Sequence, residues 1–296
     1  MNSAKKLTFI ITTFNSAEVI DACLNKINFS KYEVLVVDNN SNDETTEIVS
    51  QKYPLVTLIK NKKNYGYGRA NNIGLRATTT PYALILNPDA FIFEEDLEKL
   101  IAIMNQNSEI AIGAPLLLNS YPLSENNRLE QIKIVNNNLI KDFGDFKAVK
   151  YIIGACEILR MDFFQKIGFF DEKIFLYYED DEICHRTILN NKICAICVNA
   201  LAYHIGQGSS GTNLRGIYRR FWHRALSKFY WKEKQKGFFN AYFSAIKLSF
   251  SFFGQAIFYF INYDSKKFSQ NLGSLNGTLS YLARLSAFDK NDNPRG

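Results

Sequence analysis

Residues 33–43 read EVLVVDNNSND, a short apolar, β-branched run that stops at an acid and breaks into small polar residues. A run this short, without polar alternation, is the pattern of a strand buried on both faces. The same unit recurs on either side. Residues 7–12 (LTFIIT) run apolar and then turn at Phe14-Asn15-Ser16. Residues 56–59 form another such run, and Tyr82–Leu86 a further one that ends in Asn87-Pro88-Asp89. Between them, residues 16–27 carry a helical pattern, and Ser41-x-x-Glu44 has the spacing of a capping box opening a second helix. Residues 65–75 form a Gly- and Asn-rich turn entering a third helix. Strand–helix alternation with short loops predicts a parallel, doubly wound α/β sheet. Ligands of such sheets sit beyond the carboxyl ends of the strands, so Asn15, Asp38 and Asp89 are expected to converge there.

The chain has 296 residues, 47% hydrophobic and 22% charged, which excludes global disorder and fits one large domain or a domain with an extension. Sixteen Gly and six Pro exclude a collagen-like or low-complexity chain. The five cysteines (Cys23, Cys156, Cys184, Cys194, Cys197) are odd in number and scattered, and read as buried thiols of a reducing compartment. Cys194-x-x-Cys197 has redox spacing, but inside a strand the odd offset sends the two thiols to opposite faces. No second Cys-x-x-Cys completes a zinc site. MNSAKK passes directly into LTFIITTFN with no small-residue cleavage site, so no targeting leader is expected. Residues 116–150 are polar and irregular and are expected to form a loop or short hairpin.

The net charge of +6 is concentrated. Arg215, Arg219, Arg220, Arg224, Lys228, Lys232, Lys234 and Lys236 face a single acid, Glu233, which leaves the rest of the chain slightly negative. Tyr218, Phe221, Trp222, Phe229, Tyr230 and Trp231 are interleaved with them. Such a patch suits a polyanion or an anionic membrane surface. Beyond it, Asn240, Ser244, Lys247, Ser251, Gln255 and Asn262 lie on one narrow stripe of a helix whose other residues are mostly Phe, Tyr, Ile, Leu and Ala. That helix must bury most of its circumference, either on protein or in a membrane interface.

Five places carry candidate chemistry. A carboxylate at Asp38 can accept hydrogen bonds from a nucleobase or a ribose hydroxyl, or can serve the turn as a cap. Asp43 reads as part of that cap, where it favours the helix dipole. Asp89, on a stiff turn after Pro88, is a hard oxygen donor suited to Mg²⁺ or Mn²⁺, ions that also bind diphosphate; it also fits a plain turn. The segment from Asn64 to Gly74 lacks the GxGxxG and GxxxxGK[ST] patterns, so neither dinucleotide nor P-loop binding is supported. Its Gly66 and Gly68 allow close backbone approach to a ligand, while Arg69 fits a phosphate contact and a solvated helix face equally. Glu179-Asp180-Asp181-Glu182 is a costly run of like charges unless a metal, a cation or solvent is near, and crowding raises a carboxylate toward general-base range; the alternative is a solvated acidic turn capping a helix at residues 183–189. His204 ends an apolar strand beside Gly206-x-Gly208-Ser209-Ser210, a placement that suits a metal ligand. His185 and His223 are assigned no role.

Taken in order, TTFNS, VVDNNSND, NYGYGRANNIG, LNPDA, and FFDEKIFLYYEDDEICHR followed by YHIGQGSS resemble the family-2 inverting glycosyltransferases of GT-A fold, in particular the bacterial rhamnosyltransferase-like branch. The resemblance spans residues 7–210. It implies a Rossmann-like, mostly parallel sheet flanked by helices, with a nucleotide-sugar half at 1–100, an acceptor and catalytic half at 101–210, and a helical extension at 211–296. It further implies that Thr13, Asn15 and Asp38 hold the nucleotide of a UDP- or dTDP-sugar. Asn64, Gly66 and Asn71 would line the donor pocket. Asn87-Pro88-Asp89 stands where the family carries its DxD motif, with Asn87 in place of the first Asp, so Asp89 is the main carboxylate for Mg²⁺ or Mn²⁺. His204 matches a position that completes metal coordination. Asp180 matches the catalytic base and Glu179 precedes it in the same motif, whose last position here is Glu182 instead of Asp.

The activity implied is hexosyl transfer, with inversion, to a hydroxyl of a glycan acceptor linked to a polyprenyl diphosphate, in bacterial surface polysaccharide assembly. It would take place on the inner face of the cytoplasmic membrane. Residues 215–263 would then attach the protein peripherally to the anionic leaflet. The alternative is that the extension packs on the domain or on a second subunit of a homodimer. Other readings are a sugar nucleotidyltransferase, for which TTFNSAEV lacks the Gly and base of a triphosphate loop, and a non-catalytic nucleotide-sugar-binding relative. Nucleic acid is not expected as a partner; a nucleic-acid reading of the basic tail would require salt-sensitive binding without residues 1–210.

Overall fold

The computed structural model describes residues 5–119, 121, 125–204, 206 and 213–296. In chain order the elements are β1 (Leu7–Thr13), α1 (Ile20–Leu24), β2 (Glu33–Asp38), α2 (Thr45–Lys52), β3 (Thr57–Lys60), α3 (Tyr67–Ala77), β4 (Tyr82–Leu86) and β5 (Ala90–Ile92). There follow α4 (Glu94–Gln106), β6 (Ile110–Leu118), α5 (Glu125–Asn137), β7 (Leu139–Asp142), β8 (Lys147–Val149), β9 (Cys156–Arg160), α6 (Met161–Ile167), α7 (Glu179–Leu189) and β10 (Ile193–His204). Three long helices close the chain: α8 (Leu214–Lys236), α9 (Phe238–Ile261) and α10 (Ser265–Leu282).

The chain divides into two compact units. The first carries the sheet. Its strand order is β3-β2-β1-β4-β9-β6-β10-β8-β7, with β5 paired to β10. β1, β2, β3 and β4 pair in parallel, and every residue of β1 and β4 is buried, as expected of central strands covered on both faces. β9 runs antiparallel between β4 and β6, and β10 is parallel to β6. Two antiparallel steps restore the original direction, so β1, β2, β4, β6 and β10 all end on the same edge of the sheet. β1 is flanked by β2 and β4, which places a topological switch point, and hence a crevice, at the carboxyl ends of β1 and β4. Phe9, Ile11, Val34, Val36, Leu84, Ile158 and the inner residues of α4 form the core beneath that edge. The five cysteines are free and buried.

Four expected boundaries move. Helix α1 covers only Ile20–Leu24, because Ser16 O accepts from both Val19 and Ile20 and ties the preceding residues into a turn. Helix α2 begins at Thr45, its N-cap residue Glu44 makes no side-chain cap bond, and Ser41 is held by Asp38 instead of closing a capping box. Where a loop or short hairpin was expected at 116–150, β6 runs on to Leu118, α5 follows, and β7 and β8 form the hairpin. The thin apolar content of α5 (Leu129, Ile132, Ile134, Val135) hides it. Helix α7 starts at Glu179, not at 183, so the four acids form its first turn, where the helix dipole eases their repulsion.

The second unit comprises Asn64–Arg69, Asp171–Glu179 and the chain after β10. Its core joins Phe175, Trp222, Leu226, Phe229, Ala241, Ala245, Tyr281 and Phe288. Helices α8 and α10 meet backbone to backbone. A Cβ at Gly273 would overlap the Tyr218 carbonyl, and one at Gly277 the Trp222 carbonyl. Gly254 of α9 has open space around it. Gly→Ala inside a helix ordinarily stabilises by about 1 kcal/mol, whereas overpacking costs about 1–3 kcal/mol. We therefore expect Gly254→Ala to raise the thermal midpoint followed by far-UV circular dichroism, and Gly277→Ala to lower it. Equal shifts of the same sign would contradict the close α8–α10 crossing.

Candidate active site

The carboxyl ends of β1 and β2 are tied by hydrogen bonds. Thr13 Oγ1 donates to Asp38 Oδ1 at 2.9 Å, and Ser41 donates to Asp38 through both its amide and its hydroxyl. Asp38 is 2% exposed. Three of the roughly four acceptor positions of its carboxylate are thereby filled from within the protein, and the loop after β2 folds around it. Asn15, at a φ of 51°, is bound to the same loop: its N–H donates to Ser41 Oγ and its Oδ1 accepts from Asn42 N–H, each at 2.9 Å. Asp43 accepts from the amides of Ala17 and Thr45, as a cap would. Asn71 on α3 accepts from Thr12 Oγ1 at 2.9 Å, and its Nδ2 is buried without a partner among the described residues. A donor left unmet at the end of β1 is available to a ligand entering the crevice. The adjacent Asn72 is spent on structure, clamping Phe170 N–H and C=O at 3.0 Å each.

At the end of β4, Asn87 O accepts from Ala90 N–H at 3.0 Å, closing a turn with Pro88 at its second position and Asp89 at its third. The chain then enters β5, which pairs antiparallel with the end of β10 so that Ala90 stands opposite His204 and Phe91 opposite Tyr203. The Phe91 and Tyr203 rings stack across the ladder, 5.0 Å between centroids, which holds this register. As a result His204 Nε2 lies 3.1 Å from Asp89 Oδ1, although the two residues are more than a hundred positions apart in sequence. Apart from Gly206, the loop expected after His204 lies largely outside the described residues. No group of three or more His, Cys, Asp or Glu side chains is gathered for a metal among the described residues. Asp89 and His204 supply one oxygen and one nitrogen. That set fits a divalent ion that keeps waters and takes its other ligands from diphosphate oxygens.

Asp180 is positioned from the other side of the same edge. Asn87 N–H donates to Ala155 O at 2.9 Å, extending the β4–β9 ladder by one residue. The next residue back, Gly154, donates its N–H to Asp180 Oδ2 at 3.0 Å. Asp180 Oδ1 is buried and has no hydrogen-bond partner among the described residues. Burial, reinforced by the charge of Asp181, pushes the Asp180 carboxyl up to about 6, against the lowering effect of the Gly154 N–H. A Cβ on residue 154 would overlap Asp180 Oδ1, so only glycine leaves room for this carboxylate. Sequence reading did not single out Gly154; its one signal is a glycine interrupting the apolar run YIIGACEIL.

The other members of the acidic run diverge. Glu182 is buried and pairs with Arg186, which also donates to the carbonyls of Ile167, Gly168 and Phe169. Its role is to pin the loop after α6. Glu179 is buried, and with Asn64 and Gly66 it belongs to the second unit. There Asn64 Oδ1 accepts from Gly66 N–H at 2.9 Å. Gly66, at a φ of 84°, passes so close to the Phe175 carbonyl that a Cβ would overlap it. Arg69 donates to Glu172 O, pairs with Asp292 and lies 3.6 Å over the Phe288 ring. Tyr177 and Tyr178, directly before α7, have φ of 68° and 70°, a left-handed conformation that is strained for aromatic residues.

The sequence model of the family described as Glycosyl transferase family 2 matches residues 8–168, more than half of the chain. The protein therefore belongs to that family. It is 29% identical over 208 residues to the low-salt glycan biosynthesis hexosyltransferase Agl10 of Haloferax volcanii, covering 67% of this chain and 66% of that enzyme. It is 24% identical over 187 residues to an N-acetylglucosaminyl-diphospho-decaprenol L-rhamnosyltransferase of Mycobacterium tuberculosis, covering 52% of this chain and 60% of that one. The chain thus spans two thirds or less of these relatives' length. Among solved structures, the mannosyltransferase PcManGT of Pyrobaculum calidifontis in complex with GDP-Man and Mn²⁺ aligns with a TM-score of 0.61 at 15% identity, over 94% of this chain and 87% of that one. GalNAc-T7 with UDP, GalNAc and Mn²⁺ aligns with a TM-score of 0.55 at 13% identity, over 76% of this chain and 51% of that one. These likenesses establish the GT-A fold.

The buried Asp180 carboxylate has a consequence for stability. Its folded value, about 6, exceeds the usual aspartate range near 4, so the folded protein binds the extra proton between those values. Stability contributed by this group is therefore present below about pH 4 and is lost as the pH rises through 6. Asp180→Asn should be more stable than the parent at pH 7.5, by up to about 2 kcal/mol, and the advantage should vanish by pH 4. Thermal denaturation across that range checks this; a difference that does not change with pH would contradict the burial of an unmet carboxylate.

Proposed function

We propose that this family-2 protein is an inverting glycosyltransferase. It moves a hexosyl group from a UDP- or dTDP-sugar to a hydroxyl of a polyprenyl-diphosphate-linked glycan during surface polysaccharide assembly, working on the cytoplasmic face of the membrane. The observation that carries the reading is the Asp180 carboxylate. It is buried, keeps one oxygen without a partner among the described residues, and is held by the N–H of Gly154, next to Ala155, whose carbonyl accepts from Asn87 at the turn that bears Asp89. The resemblance to enzymes named as a hexosyltransferase and a diphospho-decaprenol rhamnosyltransferase supports the substrate class. The five free, buried cysteines fit a reducing compartment.

In this reading the loops after β1 and β2, ordered by Asp38, receive the nucleotide, with Thr13, Asn15 and Asp38 closest to it. Asn71 donates its unmet N–H into the crevice, and Asn87 adds to the surroundings of the donor. Asp89 and His204 would hold Mg²⁺ or Mn²⁺, exchanging their mutual contact for ligand bonds. The ion, when bound, neutralises charge on the departing diphosphate. Asp180 Oδ1 takes the proton from the acceptor hydroxyl. The hydroxyl oxygen forms its bond to the anomeric carbon from the face opposite the nucleotide. The bond from that carbon to the diphosphate breaks, and the nucleoside diphosphate leaves with the electron pair. One displacement inverts the configuration, and no enzyme nucleophile is needed.

Helix α9 supports attachment to the membrane. It has 24 residues and, by length and composition alone, could cross a bilayer. Phe239, Phe243, Ile246, Phe250, Phe253, Ile257 and Phe260 recur at alternating spacings of four and three, and the five Phe are 56–74% exposed. Ala241, Ala245 and Ala256, on the opposite side, are buried. Lys247 lies in the middle of the helix and is exposed, on a polar stripe one position along from the aromatic one. A spanning helix would place this ammonium at the bilayer centre, at a cost of about 2.5–3.5 kcal/mol, whereas an in-plane helix leaves it in water.

Two measurements test this reading. With sugar nucleotides and Mn²⁺, turnover should rise between pH 5 and 7 as Asp180 loses its proton, and Asp180→Asn should lose at least a thousandfold in kcat while keeping donor affinity within about threefold. Normal turnover in the variant would remove Asp180 as the base. Phe243→Ser with Phe250→Ser should release the protein from anionic vesicles; retention unchanged from the parent would reject α9 as the anchor.

A further inference from the structure

Helix α8 carries a row of bases and a single acid, Glu233. Arg220, Arg224, Lys228 and Lys232 follow one another at intervals of four, so they share one side of the helix over about 18 Å. Arg219 and Arg215 widen the row at its start. Four carboxylates of the second unit are committed elsewhere. Asp171 binds Lys234 and Tyr230, Glu233 binds Arg284 and Tyr281, Asp264 binds Lys267, and Asp292 binds Arg69. Arg219 Nε and Arg220 Nε are buried and lack a hydrogen-bond partner among the described residues. Burial and the charge of Arg215 hold Arg219 below the usual guanidinium range. Burial, then the charges of Lys232 and Arg224, lower Lys228. A half-buried row of like charges with unmet donors is an unfinished structure, completed by an anion rich in acceptor oxygens.

Both ends of the row lead to features already described. Toward the start of α8, the Arg224 guanidinium lies 5.9 Å from the ring of Tyr177, a residue three positions before Asp180 in the chain. Burial raises Tyr177, and the charges of Arg220 and Arg224 oppose that rise. Toward the other end, Lys232 Nζ donates to Ser244 Oγ, which belongs to the polar stripe of α9 beside its exposed phenylalanines. A phosphate site bordered by an apolar stripe matches a lipid phosphate, with an anionic head and a hydrocarbon tail. Guanidinium groups suit it because their planar forks meet phosphate oxygens two at a time.

We propose that Arg219, Arg220, Arg224 and Lys228 of α8 form the binding site for the diphosphate of the lipid-linked acceptor, with the aromatic stripe of α9 alongside its hydrocarbon chain. This rests on the glycosyltransferase reading given above and adds to it the place where the acceptor is gripped.

The test uses the full chain and its own fluorescence, since its two tryptophans, Trp222 and Trp231, both lie on α8. Farnesyl diphosphate serves as a short soluble probe. Its titration should give a saturable change in emission that farnesol does not give. Arg220→Gln with Arg224→Gln should weaken its binding at least tenfold, with affinity for UDP or dTDP in Mn²⁺ unchanged within twofold. No saturable binding by the parent, or equal affinity in the double variant, would overturn the proposal while leaving the nucleotide result to judge the transferase reading separately. Competition separates the sources of phosphate. Inorganic pyrophosphate should displace the probe. Equal displacement by a short-chain phosphatidylglycerol, soluble as a monomer and used at equal phosphate, would show a site for lipid phosphate in general and would also overturn the assignment.

Discussion

One backbone hydrogen bond, from Asn87 N–H to Ala155 O, fixes the geometry on which the proposed reaction depends. It exists because β9 enters the sheet antiparallel beside β4, so the start of β9 and the end of β4 share an edge. On one side of that bond the chain turns through Pro88 to Asp89 and into β5, whose pairing with β10 delivers His204. On the other side Gly154 presents its N–H to Asp180. Carboxylates ninety-one positions apart are thereby referred to adjacent residues of one ladder. A sheet with only parallel strands would not do this, because the residue next to the end of β4 would then be the end of another strand and not the beginning of one.

The division of labour among acids follows from surroundings, not from residue type. Asp38 is buried, yet its oxygens are filled by Thr13 and Ser41, and it orders a loop. Glu182 is buried and neutralised by Arg186, and it holds the chain after α6. Asp180 is buried with one oxygen left unmet among the described residues, and its carboxyl is pushed up to about 6. In the proposed reaction this unfavourable group has a use, because proton transfer needs a carboxylate whose affinity for the proton is close to that of its surroundings.

Much of this was legible in the residues. The buried parallel strands announced themselves as apolar β-branched runs, and their ends marked Asn15, Asp38 and Asp89 as neighbours of one edge. The closeness of Asp89 and His204 depends on the short β5, three residues that carry no periodic signal of their own, and only the ordered resemblance linked the two. Gly154 was missed because its meaning is spatial: nothing in YIIGACEIL says that a carboxylate from another helix will occupy the space of its missing side chain. Helix α5 was missed because it has few apolar residues. In α9 the polar stripe was readable, but the side opposite the buried alanines is known only from which residues α8 and α10 cover. The strained Tyr177 and Tyr178 have no sequence signature, since aromatic residues are not the ones that ordinarily enter the left-handed region.

The account stands or falls on whether Asp89, His204 and Asp180 serve one reacting carbon. A crystal structure of the full chain with Mn²⁺ and a non-hydrolysable UDP- or dTDP-sugar tests this most directly, with anomalous scattering locating the metal. The expected result is a manganese peak in contact with both Asp89 and His204, and the Asp180 carboxylate on the open face of the anomeric carbon, away from the diphosphate. A manganese peak that touches neither residue, or a sugar whose anomeric carbon is screened from Asp180, would contradict it.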